Sequence, residues 1–139
     1  MAAAAIGLDG GSLMSARSDA LARLADAQAF LDAAETIMVM HPQVEYADVV
    51  ATNAIHAGIA ASDALCLITM GGHSKAGNHV DAVRYLRSAG GDHTALGRLP
   101  TMKTRAGYGV QSLTVVNATR CIEWAKKLVA AAETKVSPP

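Results

Sequence analysis

From Val49 to Met70 the chain is apolar at most positions, interrupted chiefly by Asn53, His56 and Asp63. Those interruptions leave no uncharged run of about 18 residues, so a membrane span is not expected, and nothing alternates with the period of a strand. A stretch of this length, apolar almost all round, is expected to be a helix contacted on most sides. Residues from about Glu45 to Met70 are therefore read as the central helix of a bundle, and the remaining segments as the helices packed around it.

Composition supports that reading. The chain has 139 residues, a length suited to one domain, and its 29 alanines outweigh one Trp, one Phe and three Tyr. Small side chains favour closely approaching helices over an aromatic-rich β-sandwich. Cys66 and Cys121 stand far apart, with no CxxC and no ligand spacing to a histidine, so they read as buried apolar groups rather than a zinc site or a disulfide. No metal or other cofactor is expected. The first residues lack a basic n-region and a long apolar run, which fits a cytoplasmic protein rather than a secreted one.

Three regions are expected: a disordered leader over 1–14, a single helical domain over 15–134 and a flexible tail over 135–139. The first helix can be capped by Ser15 or Ser18, keeps Leu21, Leu24, Leu31, Ala34 and Met38 on one face, and stops near His41-Pro42. After the central helix, Gly71-Gly72 can supply a left-handed cap, and Asn78 can open a short helix running to about Ala89. In that helix Val83 and Leu86 point inward. Gly90-Gly91 stop it, and a segment from Asp92 or Thr94 follows, interrupted at Pro100. The last helix starts near Thr114 and buries Ala118, Cys121, Ile122, Ala125, Leu128, Val129 and Ala132. The fold class is all-α, an up-and-down antiparallel bundle of four to five helices.

Three clusters could carry chemistry. Asn53, His56 and Asp63 share one stripe of the central helix, facing either a partner helix or a dimer interface, where basic residues of the second half could satisfy them, or a pocket. His56 and Asp63 are about 10 Å apart along the helix, too far for direct contact. Lys75, in the polar loop before Asn78-His79, lies beside a helix N-terminus, where an anion could bind. Lys103, Arg105 and Tyr108 place two cations and an aromatic hydroxyl at a helix end, chemistry suited to phosphate.

The order of apolar central helix, GGHSKAGNH loop, short third helix, LGRLPTMKTRAGYG segment and amphipathic last helix resembles the HEPN superfamily (higher eukaryotes and prokaryotes nucleotide-binding domain). The likeness is to short HEPN-like proteins of high-GC bacteria in particular and extends over roughly Ser15 to Glu133. The run Ala57 to Asp63, the loop Ser74-Lys75 through His79, and Lys103-x-Arg105-Ala106-x-Tyr108-Gly109, which looks like the R-x-x-A-x-Y element, carry the likeness. The resemblance implies a homodimer that binds RNA or a nucleotide, in many members a metal-independent endoribonuclease. Such toxins are often paired with a nucleotidyltransferase-type antitoxin.

In that chemistry an Arg and a His separated by four to six residues act together, the Arg stabilising the phosphorane charge and the His moving the 2′-hydroxyl proton. Here no His follows Arg98, Arg105 or Arg120 at that distance. Arg87 and His93 match formally but straddle Gly90-Gly91. A catalytic version would need His79 with Arg105, bound ligand being met by Lys75, Lys103, Arg105 and Tyr108. The alternative is a non-catalytic helical interaction and dimerisation module without a nucleic-acid ligand.

The formal charge is zero, yet residues 1–70 carry eight acidic and two basic groups, and residues 71–139 carry four acidic and ten basic ones. That asymmetry suits either a local basic surface or pairing between the two halves.

Overall fold

A computed structural model describes the backbone of residues 10–73, 79–98 and 114–136, with side chains from Ser15 onward except at 79 and 80. Four helices are assigned: α1 (Gly10–Met40), α2 (Ala47–Met70), α3 (His79–Ser88) and α4 (Val115–Val136), with a 3-10 turn at Val44–Tyr46 before α2. Residues 93–98 are also helical, and no strand occurs among the described residues. The chain is all-α, as its periodicity requires.

Local chemistry sets the helix ends. Pro42 disfavours helical geometry at the residue before it, and α1 stops at Met40, with the His41 N–H donating to the Ile37 carbonyl at 2.8 Å. Gly71 ends α2 in the left-handed region (φ 75°) and donates to the Leu67 carbonyl at 2.9 Å. At the end of α3, Gly90 (φ 80°) donates to Arg87 and Gly91 to Leu86, the paired bonds of a Schellman motif. Asp92 then caps the 93–98 stretch, its Oδ1 accepting from the Ala95 N–H at 3.0 Å, and Thr114 Oγ1 accepts from the Asn117 N–H at the start of α4.

The core is built on α2, which packs extensively against both α1 and α4, while α1 and α4 meet each other less. Arg23 meets Asp63 and Phe30 meets His56, so positions rise along α1 as they fall along α2 and the pair is antiparallel. Gln28 meets Glu133 and Glu35 meets Lys126 in the same sense, so α4 is antiparallel to α1 too.

The seams repeat every seven residues. Ala20, Ala27 and Ala34 on α1, Ala47, Ala54 and Ala61 on α2, and Ala118, Ala125 and Ala132 on α4 are all buried. A seven-residue repeat keeps one stripe facing its neighbour, and small side chains there bring helix axes toward the short end of the roughly 8–10 Å packing range. Segment Val44–Met70 is long and apolar enough to cross a membrane, but 67% of its most apolar window is buried inside the bundle.

Several boundaries differ from the sequence reading. Ser15 and Ser18 lie inside α1, which already runs from Gly10, so neither is its cap, and residues 10–14 are helical rather than leader. Leu21 is 42% exposed because the alanine repeat, with Leu24 buried between its members, defines the inward face; Leu31 and Met38 are only partly buried. Lys135 and Val136 belong to α4, and Val136 is fully buried, so the helix is held by packing where a frayed tail was expected. Leu86 is fully buried, and every expected inward position of α4 is buried. The expected cap Asn78 and the interruption at Pro100 fall outside the described residues.

Gly91 marks the tightest approach. A methyl group there would come under 3.0 Å from the Leu86 and Leu65 side chains. Gly91→Ala is expected to destabilise the fold by about 1–3 kcal/mol, as overpacking does, measured by urea denaturation. Open space surrounds the Gly90 position, so Gly90→Ala is expected to cost only about 1–2 kcal/mol, for its positive φ alone.

Candidate functional site

The polar stripe of α2 lies along the α1–α2 seam, and each member has a different environment. Asn53 turns back onto its own helix, Nδ2 donating to the Val49 carbonyl at 2.9 Å. This is a bond a helical amide makes without any neighbour. His56 lays its ring against Phe30 of α1, with centroids 5.2 Å apart and tilted by 31°. Asp63 is the most enclosed: Arg23 Nη2 donates to Oδ2 at 3.0 Å, and His73 Nδ1 stands 3.6 Å from Oδ1. Among the described residues Asn53 therefore bonds within α2, while His56 and Asp63 meet different residues of α1.

Asp63 draws its strong partner from an unexpected place. Arg23 is one of the two basic residues of the first half, where the charge asymmetry suggested a cation from the second half. Arg23 also reaches Asp26 at 3.0 Å, and Arg84 pairs with Asp81 inside the second half. Between the halves, His73 meets Asp63, Lys126 meets Glu35, and Gln28 Nε2 donates to Glu133. Sequence reading placed His73 in the loop but gave it no role; its position just past the Gly71-Gly72 cap, which folds the chain back over the end of α2, is the signal that could have found it.

Lys75, Lys103, Arg105 and Tyr108 lie outside the described residues, and His79 is described only as the first backbone position of α3. The formal Arg87–His93 match is split by the Schellman turn, with Arg87 on α3 and His93 in the next helical stretch. Among the described residues no three His, Cys, Asp or Glu side chains gather to hold a metal ion. Burial pushes both thiols up, Cys66 and Cys121 each to about 11, with the nearby Asp63 carboxylate adding to the effect at Cys66.

Two open depressions lie elsewhere. A groove of about 280 Å³ between α1 and α4 is lined by Leu31, Asp32, Glu35, Lys126, Val129 and Glu133 among others. Its acidic groups are partly engaged, Glu35 by Lys126 and Glu133 by Gln28. A second, of about 470 Å³, sits where Gly90, Gly91 and Asp92 meet Leu65 and Lys135. Neither contains a residue of the three sequence clusters.

The surface is unusual at the end of the bundle that carries the α1–α2 turn. Val39 and Met40 are 80% and 67% exposed, and Val44, Tyr46 and Val49 follow on the 3-10 turn and the first turn of α2. Tyr46 stacks on His41 with ring centroids 4.2 Å apart. Because α4 is antiparallel to α1, its exposed Val116 lies at this same end. On the other elements, Arg84, Arg87 and Arg98 are exposed, and the Arg98 guanidinium lies over the Trp124 ring at 5.8 Å.

Two outcomes are expected from this geometry. Arg23→Ala and Asp63→Ala should be non-additive in urea denaturation, with a coupling of about 1 kcal/mol, because both remove the same 3.0 Å pair, leaving Asp63 with His73 or Arg23 with Asp26. Neither thiol should react with a disulfide reagent at pH 8 until the chain unfolds. A thiol whose pKa is raised by folding stabilises the fold fully below its unfolded value of 9.0, and that contribution is lost as pH rises toward about 11. Stability should therefore decline across that window.

No protein-family model matches the chain, and no curated protein sequence matches it.

Proposed function

We propose that this chain is a non-catalytic helical interaction module that works as a homodimer. The observation that carries this reading is the fate of the polar stripe: Asn53, His56 and Asp63 meet their own helix or α1, while large apolar side chains stand in solvent at the α1–α2 turn. A binding or reaction centre needs polar groups aimed at one point, whereas Asn53 bonds within α2 and His56 and Asp63 meet different residues of α1. An exposed apolar cluster is the kind of surface that association removes from water.

A second reading, RNA or nucleotide binding by a HEPN-like domain, is favoured by one separate observation. Arg84, Arg87 and Arg98 are exposed on the elements that precede the Lys103–Tyr108 segment, with Trp124 beneath Arg98. Cations beside an aromatic face suit a phosphate backbone and a stacked base.

Light scattering coupled to gel filtration tests the first reading, with a mass of twice 14.3 kDa expected; a monomer at all concentrations overturns it. Fluorescence anisotropy with tRNA decides the second. Affinity that falls steeply with salt and is lost in Arg105→Ala would establish it, and flat titrations would leave the interaction module alone.

A further inference from the structure

We infer that the edge of α4 beside the 93–98 stretch is a seat for a single strand of nucleic acid, with Trp124 taking a base. This rests on the nucleic-acid reading above and adds to it where the strand lies. Arg120, Trp124 and Lys127 follow one another at four and three, so they share one edge of α4, and the helix period brings Lys135 to that edge about three turns beyond Trp124. Arg98 reaches the same edge from the neighbouring stretch, its guanidinium 5.8 Å over the Trp124 ring. Farther along, Gly90, Gly91 and Asp92 meet Ala131, Thr134 and Lys135 around the depression of about 470 Å³. The chain from Asp92 to Arg98 therefore runs alongside α4 from Lys135 back to Trp124, and cations, ring and depression form one continuous edge.

Charge and shape select the occupant. Arg98, Arg120, Lys127 and Lys135 are exposed, and none makes an ion pair among the described residues. Against these four cations stand two carboxylates: Asp92, whose Oδ1 accepts from the Ala95 N–H, and Glu123, which lies on α4 about a quarter turn outside the row. Lys126 and Glu133 belong to the opposite side of α4, where they meet Glu35 and Gln28 of α1. The edge is thus net positive, which calls for an anionic partner. Trp124 is half-buried against the core, so its ring is held in place in the middle of the cations, and a ring there calls for a flat group to stack on it. Nucleic acid supplies both, an acidic peptide only the charge. No large apolar side chain is exposed between Arg120 and Lys135, so the edge offers a lipid surface nothing to bury. Bases in a duplex are stacked on one another, so the strand is single. A base that takes the guanidinium's place on the ring frees Arg98 to meet a phosphate, and the depression, with Leu65, Ala89 and Ala131 in its wall, has room for a second base.

Trp124 is the only tryptophan of the chain, so its fluorescence reports on the seat directly. Titrating the full-length protein with poly(A) RNA or poly(dA) DNA of about ten nucleotides should quench that emission, and comparing the two arms tells which sugar is preferred. Poly-glutamate, an anion without bases, should leave the emission unchanged and bind more weakly. Arg120→Glu combined with Lys127→Glu should weaken oligonucleotide binding by roughly tenfold or more and flatten its salt dependence, with an unchanged helical circular-dichroism spectrum, since both side chains are exposed. Trp124→Leu should weaken it by about tenfold and leave the salt dependence as it was. Fluorescence anisotropy that shows oligonucleotide binding with unchanged Trp124 emission and no effect of these substitutions overturns the seat while leaving the nucleic-acid reading standing. Poly-glutamate that binds as tightly as either oligonucleotide overturns the seat in favour of an acidic protein partner. Absence of binding to both oligonucleotides at low salt overturns the seat and the nucleic-acid reading together.

Discussion

The distance between α2 and its two neighbours governs most of what this fold can do. Alanine every seven residues on all three long helices puts small side chains at regular points of each seam, which favours close backbone approach there, with Leu24, Ile55 and Leu128 among the larger groups filling the core between them. Each alanine buries less apolar area than a leucine would, and the deficit is offset by length: α1, α2 and α4 have 31, 24 and 22 residues. Close seams are also intolerant of bulk. The same tightness appears at Gly91, where the turn after α3 is pressed onto Leu65 and Leu86.

Close approach also explains what becomes of the polar groups on α2. Asp63 is mostly enclosed beside α1, and the long arginine Arg23 reaches it from that helix. Arg23 bridges Asp26 and Asp63 at once, tying one turn of α1 to α2, and His73 adds a contact from the chain just past the α2 cap. This cluster gives the α1–α2 pairing a specific register, which an alanine seam that looks alike every seven residues specifies poorly on its own.

Much of the fold was legible in the residues. The helix stops at His41-Pro42, Gly71 and Gly90-Gly91 were readable because Pro and Gly act through local sterics. The inward face of α4 was readable because its apolar side chains are large and regularly spaced. On α1 the same method put Leu21 inward, since it weighed leucine above alanine, whereas packing selected the alanine face. Val136 reads from sequence as part of a frayed tail, because nothing nearby in the chain shows that the rest of the bundle covers it. The stripe of α2 was readable as a stripe, but not as three separate environments, because its partners Phe30, Arg23 and His73 are brought to it by three-dimensional packing.

The sequence by itself determined the all-α class, the apolar character of the central helix, its glycine cap and the burial of both cysteines. Each follows from local geometry or from a hydrophobic period within one segment. Only the tertiary structure decided that α2 packs against both α1 and α4, that the 3.0 Å partner of Asp63 is Arg23 of the first half, and that apolar side chains remain exposed at the α1–α2 turn. Pairing and exposure depend on which surfaces of distant segments come together, and a one-dimensional pattern specifies a helix face without specifying what covers it.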